Sequence, residues 1–254
     1  MTKGLSVPAV TVEQMREVDR LMIEEYSILL IQMMENAGRN LATLVSTIAQ
    51  GGPGKSVLVL AGRGNNGGGG LVASRHLSNM GNRVQVILAA NVDRLPEVPR
   101  HQASILLKMG VELQEAGACD GERLEELVGS ADVIVDALIG YSLSGAPRGS
   151  AAVLIEKANA SGGPIVSLDV PSGLDAGSGR IYEPSIRATA TLTLALPKTG
   201  LGTQEARGRV GDLYLGDLSV PPGLYRRLGL DVAPLFAESG TVPLVWTAGG
   251  WVTG

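Results

Sequence analysis

The chain has 254 residues, the length of one ordinary domain with at most a short tail. Hydrophobic residues make up 44% and charged residues 18%, a composition that excludes a disordered chain and predicts a sizeable core. The formal net charge is −4 and no basic run exceeds Arg226-Arg227, so the chain lacks the positive surface of a nucleic-acid binder. We therefore expect no nucleic acid as a partner.

The cysteine content and the hydropathy indicate a cellular compartment. Cys119 is the single cysteine, so no internal disulfide can form and a reducing compartment is expected. The first residues lack the apolar stretch of a signal peptide, and no run of about 18 apolar residues follows. We therefore expect a cytoplasmic protein without a membrane partner.

In chain order, the first predicted elements are two helices. Thr11 and Gln14 have the spacing of a capping box, and apolar residues follow at helical spacing as far as Met22. A second apolar stripe covers residues 30–48 and stops at the glycine- and proline-rich residues 51–54. Both helices precede the first strand.

Beyond residue 55, short β-branched runs alternate with helical stretches. Such alternation predicts a three-layer α/β/α sandwich, in which a mostly parallel sheet has helices on both faces. The strands are nearly continuous apolar runs, as expected when both faces of the sheet are covered. The predicted strands are residues 56–61, 84–90, 133–138, 164–170 and 190–196, and the predicted helices are residues 71–80, 102–108, 122–128 and 151–160.

The pattern weakens near the end of the chain. We interpret residues 1–220 as the main α/β domain and residues 221–254 as a C-terminal helix and tail of the same domain. Residues 234–254 include Trp246 and Trp251 but show no clear period. They are expected to be a surface-packed or frayed tail, with a dimer-interface arm as the alternative.

The most informative segment is A-G-R-G-N-N-G-G-G-G-L-V-A at residues 61–73, between a predicted strand and a helix that starts near Gly70. Glycines allow close approach of the backbone to a ligand, and a helix N-terminus attracts an anion, so a phosphate or dinucleotide is expected here. The segment matches G-x-G-x-x-G, with Asp93 about twenty residues downstream as a candidate ribose ligand. It has no Lys followed by Ser or Thr, which excludes a Walker A site.

Polar side chains occur at three predicted strand ends. Asn65 and Asn66 lie in the glycine loop, where their carbonyl oxygens suit a hard cation or a ligand amide; the alternative is that they only occupy turn conformations. Asp136 and Asp169 lie at the carboxyl ends of two further strands, where open α/β sheets bind ligands, although each could instead cap a turn. We expect the three strand ends to meet at one crevice.

The acid–base chemistry of such a crevice is expected to fall on a carboxylate. Neither His76 nor His101 lies in a catalytic pattern, and no Ser-His-Asp arrangement or zinc spacing is visible. Asp169 is the best candidate because partial burial would raise its pKa towards the working pH.

Five segments together resemble a known family. They are M-M-E-N-A-G at residues 33–38, A-G-R-G-N-N-G-G at 61–68, V-D-A-L-I-G at 135–140, L-D-V-P-S-G at 168–173 and A-L-P-K-T-G at 195–200. In this order they are similar to the motifs of the NAD(P)HX epimerases, the YjeF N-terminal domain family. The resemblance implies a Rossmann-like enzyme that interconverts the R and S epimers of NADHX and NADPHX, nicotinamide cofactors hydrated at the dihydropyridine ring. A dehydratase specific for the S form can then restore the cofactor.

The same resemblance implies roles for individual residues. Asp169 is expected to contact the altered ring and to supply acid–base chemistry. Asn66, Asp136 and Ser172 are expected to bind a potassium ion, a hard cation that prefers oxygen ligands. The residues expected to hold the substrate are Asn65, Asn66, Gly67, Gly68, Gly69, Gly140, Tyr141, Ser142, Leu143, Ser144, Gly145, Ala146 and Asp169.

One residue departs from the family pattern, and two other functions stay open. The family loop reads N-N-G-G-D-G, whereas this chain has Gly69 in place of the aspartate, a loss that affects turnover more than fold. One alternative is a non-catalytic nucleotide-binding or scaffolding module of the same fold. The other is an NAD-dependent oxidoreductase, which the absence of a catalytic Tyr-x-x-x-Lys, cysteine or histidine disfavours.

The expected partners follow from the length and the apolar surfaces. The chain ends about thirty residues beyond the family domain, so the dehydratase is expected to be a separate protein. Apolar faces on the two N-terminal helices and the tryptophan-bearing tail favour a homodimer.

Overall fold

The computed structural model describes residues 4–50 and 52–254. Over these residues the chain forms eight α-helices and ten strands. The helices are α1 (Val12–Glu24), α2 (Leu30–Ile48), α3 (Asn65–Asn79), α4 (Glu97–Lys108), α5 (Gly121–Ser130), α6 (Ser150–Ala160), α7 (Gln204–Val210) and α8 (Pro222–Arg227). The strands are β1 (Ser6–Val7), β2 (Ser56–Ala61), β3 (Arg83–Leu88), β4 (Glu112–Glu115), β5 (Val133–Ala137), β6 (Ile165–Leu168), β7 (Ala190–Leu194), β8 (Asp212–Gly216), β9 (Thr241–Thr247) and β10 (Gly250–Thr253).

All ten strands belong to one sheet in the order β1-β10-β9-β8-β7-β6-β5-β2-β3-β4. The neighbours from β8 to β4 are parallel, and β9, β10 and β1 extend the sheet antiparallel at the other edge. Because parallel strands end at the same edge of a sheet, the loops after β2, β5 and β6 come together.

Helices cover both faces of the sheet, as predicted. Along β2, Val57 and Val59 pack into a core shared with α2, α3 and α4, whereas Leu58 and Leu60 pack into a core shared with α5 and α6. This alternation follows from the two-residue period of a strand, and it explains why both faces of β2 are apolar. The predicted three-layer α/β/α class is confirmed.

The first two helices have the ends that their sequences predict. The Thr11 hydroxyl accepts a hydrogen bond from the Gln14 backbone N–H, and the Gln14 side chain accepts one from the Thr11 N–H, which is the capping box. The second helix covers Leu30–Ile48, the predicted range. Among the residues described, no helix is both long and apolar enough to cross a membrane.

Two expectations about elements are wrong. The third helix begins at Asn65 and not at residue 71, so the consecutive glycines of the loop are helical. The segment 234–254 is not the surface-packed or frayed tail that we expect from the sequence, because β9 and β10 form a hairpin that pairs with β8 on one side and β1 on the other. Its alternation is hidden in the sequence because Pro243 and Val245, which lie on the exposed face of β9, are apolar like the buried Val242 and Leu244.

Candidate active site

A cavity of about 640 Å³ lies at the carboxyl ends of β2, β5 and β6, beneath α1 and α2. One side is polar and is formed by the glycine loop before α3 and by the loop after β5. The opposite side is apolar and includes methionines and leucines of the two N-terminal helices. The lining residues used below are Met15, Asp19, Met33, Met34, Gly62, Arg63, Gly64, Asn65, Asn66, Gly69, Gly140, Tyr141, Ser142, Asp169 and Lys198.

The glycine loop is shaped by backbone contacts that no side chain could share. A Cβ on Gly62 would lie 1.8 Å from the Leu138 carbonyl oxygen, and one on Gly67 would lie 1.9 Å from the Gly62 carbonyl oxygen. Gly64 is the N-cap of α3 and gives no side-chain cap, so N–H groups of the first turn remain for a ligand. This end of α3 is therefore suited to bind an anion such as a diphosphate.

Asp169 follows β6 and is buried, with 3% of its surface exposed. Its backbone has a φ of 68°, an unusual value for a residue with a side chain and one that often occurs at functional sites. One carboxylate oxygen forms an ion pair with Lys198, and the other accepts a hydrogen bond from the Tyr141 N–H at 3.1 Å. The expectation that Asp169 is only partly buried is wrong. Its carboxylate can be fully buried because the Lys198 ammonium balances its charge.

Lys198 is a site residue to which the sequence motifs gave no role. Its side chain is completely buried, and its Nζ donates to Asp169 and, at 2.9 Å, to the Leu194 carbonyl. The signal was present in the sequence, since Lys198 is the charged residue of the A-L-P-K-T-G segment that follows an apolar strand. Asp19, on α1, is a second residue of the cavity wall that was not assigned, and it carries a carboxylate.

Asp136 lies behind the cavity and not in its wall, and it is completely buried. Its carboxylate accepts hydrogen bonds from the Ser172 hydroxyl at 2.6 Å, the Ser172 N–H at 2.9 Å and the Ser167 hydroxyl at 2.8 Å. Burial raises the pKa of Asp136, and these hydrogen bonds oppose that effect. The Ser172 hydroxyl also contacts the Ile139 carbonyl and N–H, so it links Asp136 to the loop after β5.

Asn66 lies close to Asp169 at the start of α3. A Cβ placed on Gly140 would be 3.2 Å from both Asn66 Oδ1 and Asp169 Oδ2, so the three residues are in close proximity. Asn66 Nδ2 is buried and has no hydrogen-bond partner among the described residues. A buried amide without a partner is costly inside a protein, and it points to a ligand contact at this position.

The predicted substrate residues divide into two groups. Asn65, Asn66, Gly69, Gly140, Tyr141, Ser142 and Asp169 line the cavity, whereas Gly67, Gly68, Leu143, Ser144, Gly145 and Ala146 do not. Gly68 packs under the Met34 side chain, where a Cβ would lie 2.5 Å from its sulfur. The candidate ribose ligand Asp93 is exposed on a 3₁₀ turn outside the cavity, which removes the support for a dehydrogenase-like site.

Comparisons with known proteins agree with this architecture. Residues 30–200 match the model of the family described as YjeF-related protein N-terminus. The chain is 48% identical to an NAD(P)H-hydrate epimerase of Dehalogenimonas lykanthroporepellens over 90% of this chain and 89% of that protein. It is 38% identical to a bifunctional NAD(P)H-hydrate repair enzyme of Moorella thermoacetica, over 85% of this chain and 41% of that protein.

The structural comparison extends the likeness to the whole fold. The crystal structure of yeast ynu0 superposes with a TM-score of 0.80 and 27% sequence identity, and the match covers 94% of this chain and 100% of the yeast chain. The chain belongs to the YjeF-related protein N-terminus family.

Proposed function

We propose that this protein is an NAD(P)H-hydrate epimerase, an isomerase that interconverts the R and S forms of NADHX and NADPHX. The observation that carries the proposal is one cavity with an anion-binding helix end on one side and a buried carboxylate–lysine pair on the other. The proposal is supported by relatives that are named NAD(P)H-hydrate epimerase and that match this chain over most of both lengths.

The chemistry needs a group that moves a proton at the hydrated ring. Inversion at the carbon that bears the hydroxyl requires a bond to that carbon to break and re-form, and both steps are helped by a positioned acid or base. We assign this role to the Asp169 carboxylate, which lies in the cavity wall. Lys198 holds the carboxylate by an ion pair, and the Tyr141 N–H and Lys198 fix the orientation of its two oxygens.

The substrate diphosphate is assigned to the glycine loop. The unpaired N–H groups of the first turn of α3 attract negative charge, and Arg63 and Asn65 lie beside them in the cavity wall. The apolar side of the cavity, with Met33 and Met34, is suited to the flat faces of the heterocyclic rings. One site thus matches both ends of a dinucleotide.

A potassium ion is part of the proposal, with Asn66, Asp136 and Ser172 as its ligands. The donors present are a carboxylate, a hydroxyl and an amide oxygen, beside the Ile139 carbonyl, and such an all-oxygen set fits a hard monovalent cation. When bound, the ion supplies positive charge near the loops that hold the anionic substrate.

We expect potassium to raise the melting temperature of the protein above that in an equal concentration of choline, because a ligand that binds only the folded state stabilises it. Asn66→Ala should remove this difference; an equal potassium effect in that variant would contradict the assignment.

The decisive experiment starts from one pure epimer of NADPHX in potassium buffer and follows the R and S forms by chromatography. The wild-type protein should bring the mixture to equilibrium much faster than the protein-free blank. Asp169→Asn should bind NADPHX yet equilibrate at least about 100-fold more slowly, the loss expected for a general acid–base group. Binding without acceleration by the wild type would favour the non-catalytic scaffolding alternative.

The same assay decides the importance of Gly69. A Cβ at this position would lie 2.7 Å from the Leu168 Cδ2 atom, so the family's aspartate requires that leucine to move. We propose that the wild-type chain is active with glycine here, since the Asp169–Lys198 pair is complete without the additional carboxylate.

Further parts of the proposal concern partners and location. We propose that a dehydratase consumes the product, and relatives named bifunctional NAD(P)H-hydrate repair enzyme support this pairing of functions. We propose a homodimer, and sedimentation equilibrium tests it. The support is that apolar residues near the N-terminal helices and on the C-terminal hairpin are exposed, among them Ile23, Leu29 and Trp246. The free thiol of Cys119 supports a cytoplasmic location.

A further inference from the structure

Asp19 is a carboxylate in the cavity wall to which the proposed chemistry gives no role. It lies on α1, and its Oδ2 accepts a hydrogen bond from the Tyr141 hydroxyl at 2.5 Å, across 122 residues of sequence. Burial raises the pKa of Asp19, and burial together with the charge of Asp19 raises the pKa of Tyr141. Both groups are partly buried, and the hydrogen bond between them satisfies the polar atoms that burial removes from water.

The opposite end of Tyr141 contacts the proposed catalytic pair. Its backbone N–H donates to Asp169 Oδ2 at 3.1 Å, and the Lys198 Nζ lies 6.0 Å from the centre of its ring. Tyr141 therefore connects α1 to the Asp169–Lys198 pair. It is also near the start of the loop after β5, which borders the cavity through Gly140, Tyr141 and Ser142.

We infer that Asp19 is a positioning residue, which acts by holding the Tyr141 hydroxyl and through it the loop after β5. This inference rests on the proposed function. Tyr141 lies between two carboxylates: its hydroxyl donates to Asp19 and its backbone N–H donates to Asp169. Loss of the Asp19 contact frees the side chain to rotate and lets the loop move relative to Asp169.

Loss of the contact between Asp19 and Tyr141 should lower the catalytic rate more than the stability of the fold. A displacement of about 1 Å at reacting groups can cost about 100-fold in rate, even when the fold is unchanged. The position of Asp19 on α1 also gives the first helix a part in the site, although the helix is far in sequence from the glycine loop and from Asp169. No peptide motif of the site includes Asp19.

A double-mutant cycle tests the inference. Asp19→Ala and Tyr141→Phe should each lower kcat/KM by about 10–100-fold, mainly through kcat, because each removes the same contact. The double variant should be no worse than the poorer single variant, since a shared contact can be lost only once. Asp19→Asn keeps an acceptor oxygen for the Tyr141 hydroxyl and should stay within a few-fold of the wild type.

Glu24→Ala is the matched control, because its carboxylate lies on the same helix but is exposed and pairs with Arg20. It should leave kcat and KM unchanged. Additive losses in the cycle, or an Asp19→Ala variant that is as active as Glu24→Ala, would overturn the inference. If Asp19→Ala does not fold, as judged by circular dichroism, Asp19→Ser replaces it in the cycle.

Failure of the proposed function is distinguishable from failure of this inference. The dissociation constant of NADPHX is measured for the same four proteins of the cycle. If the wild type accelerates no epimerisation, the proposed function fails, and the cycle is evaluated on NADPHX affinity. Non-additive losses of affinity then support the role of Asp19, and additive losses or none contradict it.

Discussion

Asp169 and Lys198 form a buried ion pair in the site, and the proposed acid–base chemistry depends on it. A carboxylate that is 3% exposed and a lysine that is completely buried are each unfavourable alone, so each position is acceptable only with the other. Asp169 also has a positive φ, so the backbone itself is held in an uncommon conformation. Such costs are typical of positions kept for function and not for stability.

Lys198→Met should therefore destabilise the protein by about 3–5 kcal/mol, because it leaves the Asp169 carboxylate buried without a cation. The combined variant Lys198→Met with Asp169→Asn should recover much of that loss, since no charge remains buried. Urea unfolding of the variants measures both effects. Lys157→Met is the control, as Lys157 forms an exposed pair with Glu125 that is worth about 0–1 kcal/mol. A loss at Lys198 no larger than at Lys157 would contradict this account.

A second prediction at residue scale concerns the glycine loop. Gly67→Ala should abolish substrate binding, because the new Cβ would meet the Gly62 carbonyl oxygen at 1.9 Å, and a backbone atom cannot move aside cheaply. Gly129→Ala, on α5 and outside the cavity wall, is the control, since a Cβ there meets nothing within 4 Å. Titration with NADPHX compares the two variants. Equal affinities would show that the tight loop is not needed for binding.

At the scale of elements, α3 shows that tertiary packing can outweigh the low helix propensity of a sequence. Its first turns are rich in glycine, which disfavours a helix by about 1 kcal/mol per residue relative to alanine. The glycines permit close contact instead: a Cβ on Gly68 would overlap Met34 of α2, and one on Gly70 would lie 2.6 Å from the Ala137 Cβ of β5. The helix forms because its neighbours fill the space that side chains would occupy.

The contact of α2 with α3 is expected to be sensitive to acid. Burial alone would raise the pKa of Glu35, but hydrogen bonds from Arg75 and His76 outweigh burial and lower it below its ordinary value of 4.5. A lowered folded-state pKa stabilises the protein above the unfolded value, and this contribution is lost as the pH falls through the lowered pKa.

Glu35→Gln should remove this acid-sensitive contribution. The variant should melt below the wild type at neutral pH, and the difference should shrink as the pH falls below about 4. Melting temperatures of both proteins across the acidic range provide the measurement. Glu24→Gln, an exposed carboxylate on α1, is the control and should melt like the wild type. A constant difference between Glu35→Gln and the wild type at every pH would contradict the assignment.

At the scale of the whole molecule, the C-terminal hairpin completes the sheet. The β9–β10 hairpin covers the edge of β8, and β10 in turn pairs with β1 near the N-terminus, so both ends of the chain meet in one sheet. Trp251 is buried among the residues of the core that also contains Met15 and Met22 of α1. The hairpin thus supports the helix that carries Asp19.

Trp251→Ala should cost about 3–5 kcal/mol, the usual loss for a buried aromatic side chain. Trp246 contacts it edge-to-face, with ring centres 4.8 Å apart, but is itself 39% exposed. Trp246→Ala should therefore cost only about 1 kcal/mol. Chemical unfolding of both variants tests the difference, and a larger loss at Trp246 would contradict the ranking of the two rings by burial.

The clearest patterns gave the most accurate predictions. The ranges 30–48 for α2 and 56–61 for β2 agree with the structure, because a continuous stripe or a continuous apolar run has few alternative structures. The polar strand Glu112–Glu115 was not predicted, since it lies at the edge of the sheet and needs little apolar surface. The start of α3 was misplaced because glycine resists helix unless tertiary contacts favour it.

The sequence by itself determined the fold class, the order of the principal elements and the loops that face the cavity, because periodicity and glycine positions are local properties of the chain. It could also name Asp169 as a candidate. Only the tertiary structure decided that Lys198 neutralises Asp169, that Asp136 lies behind the cavity, and that Asp19 reaches Tyr141. Burial and pairing across many residues depend on how the layers pack, and no local pattern encodes those distances.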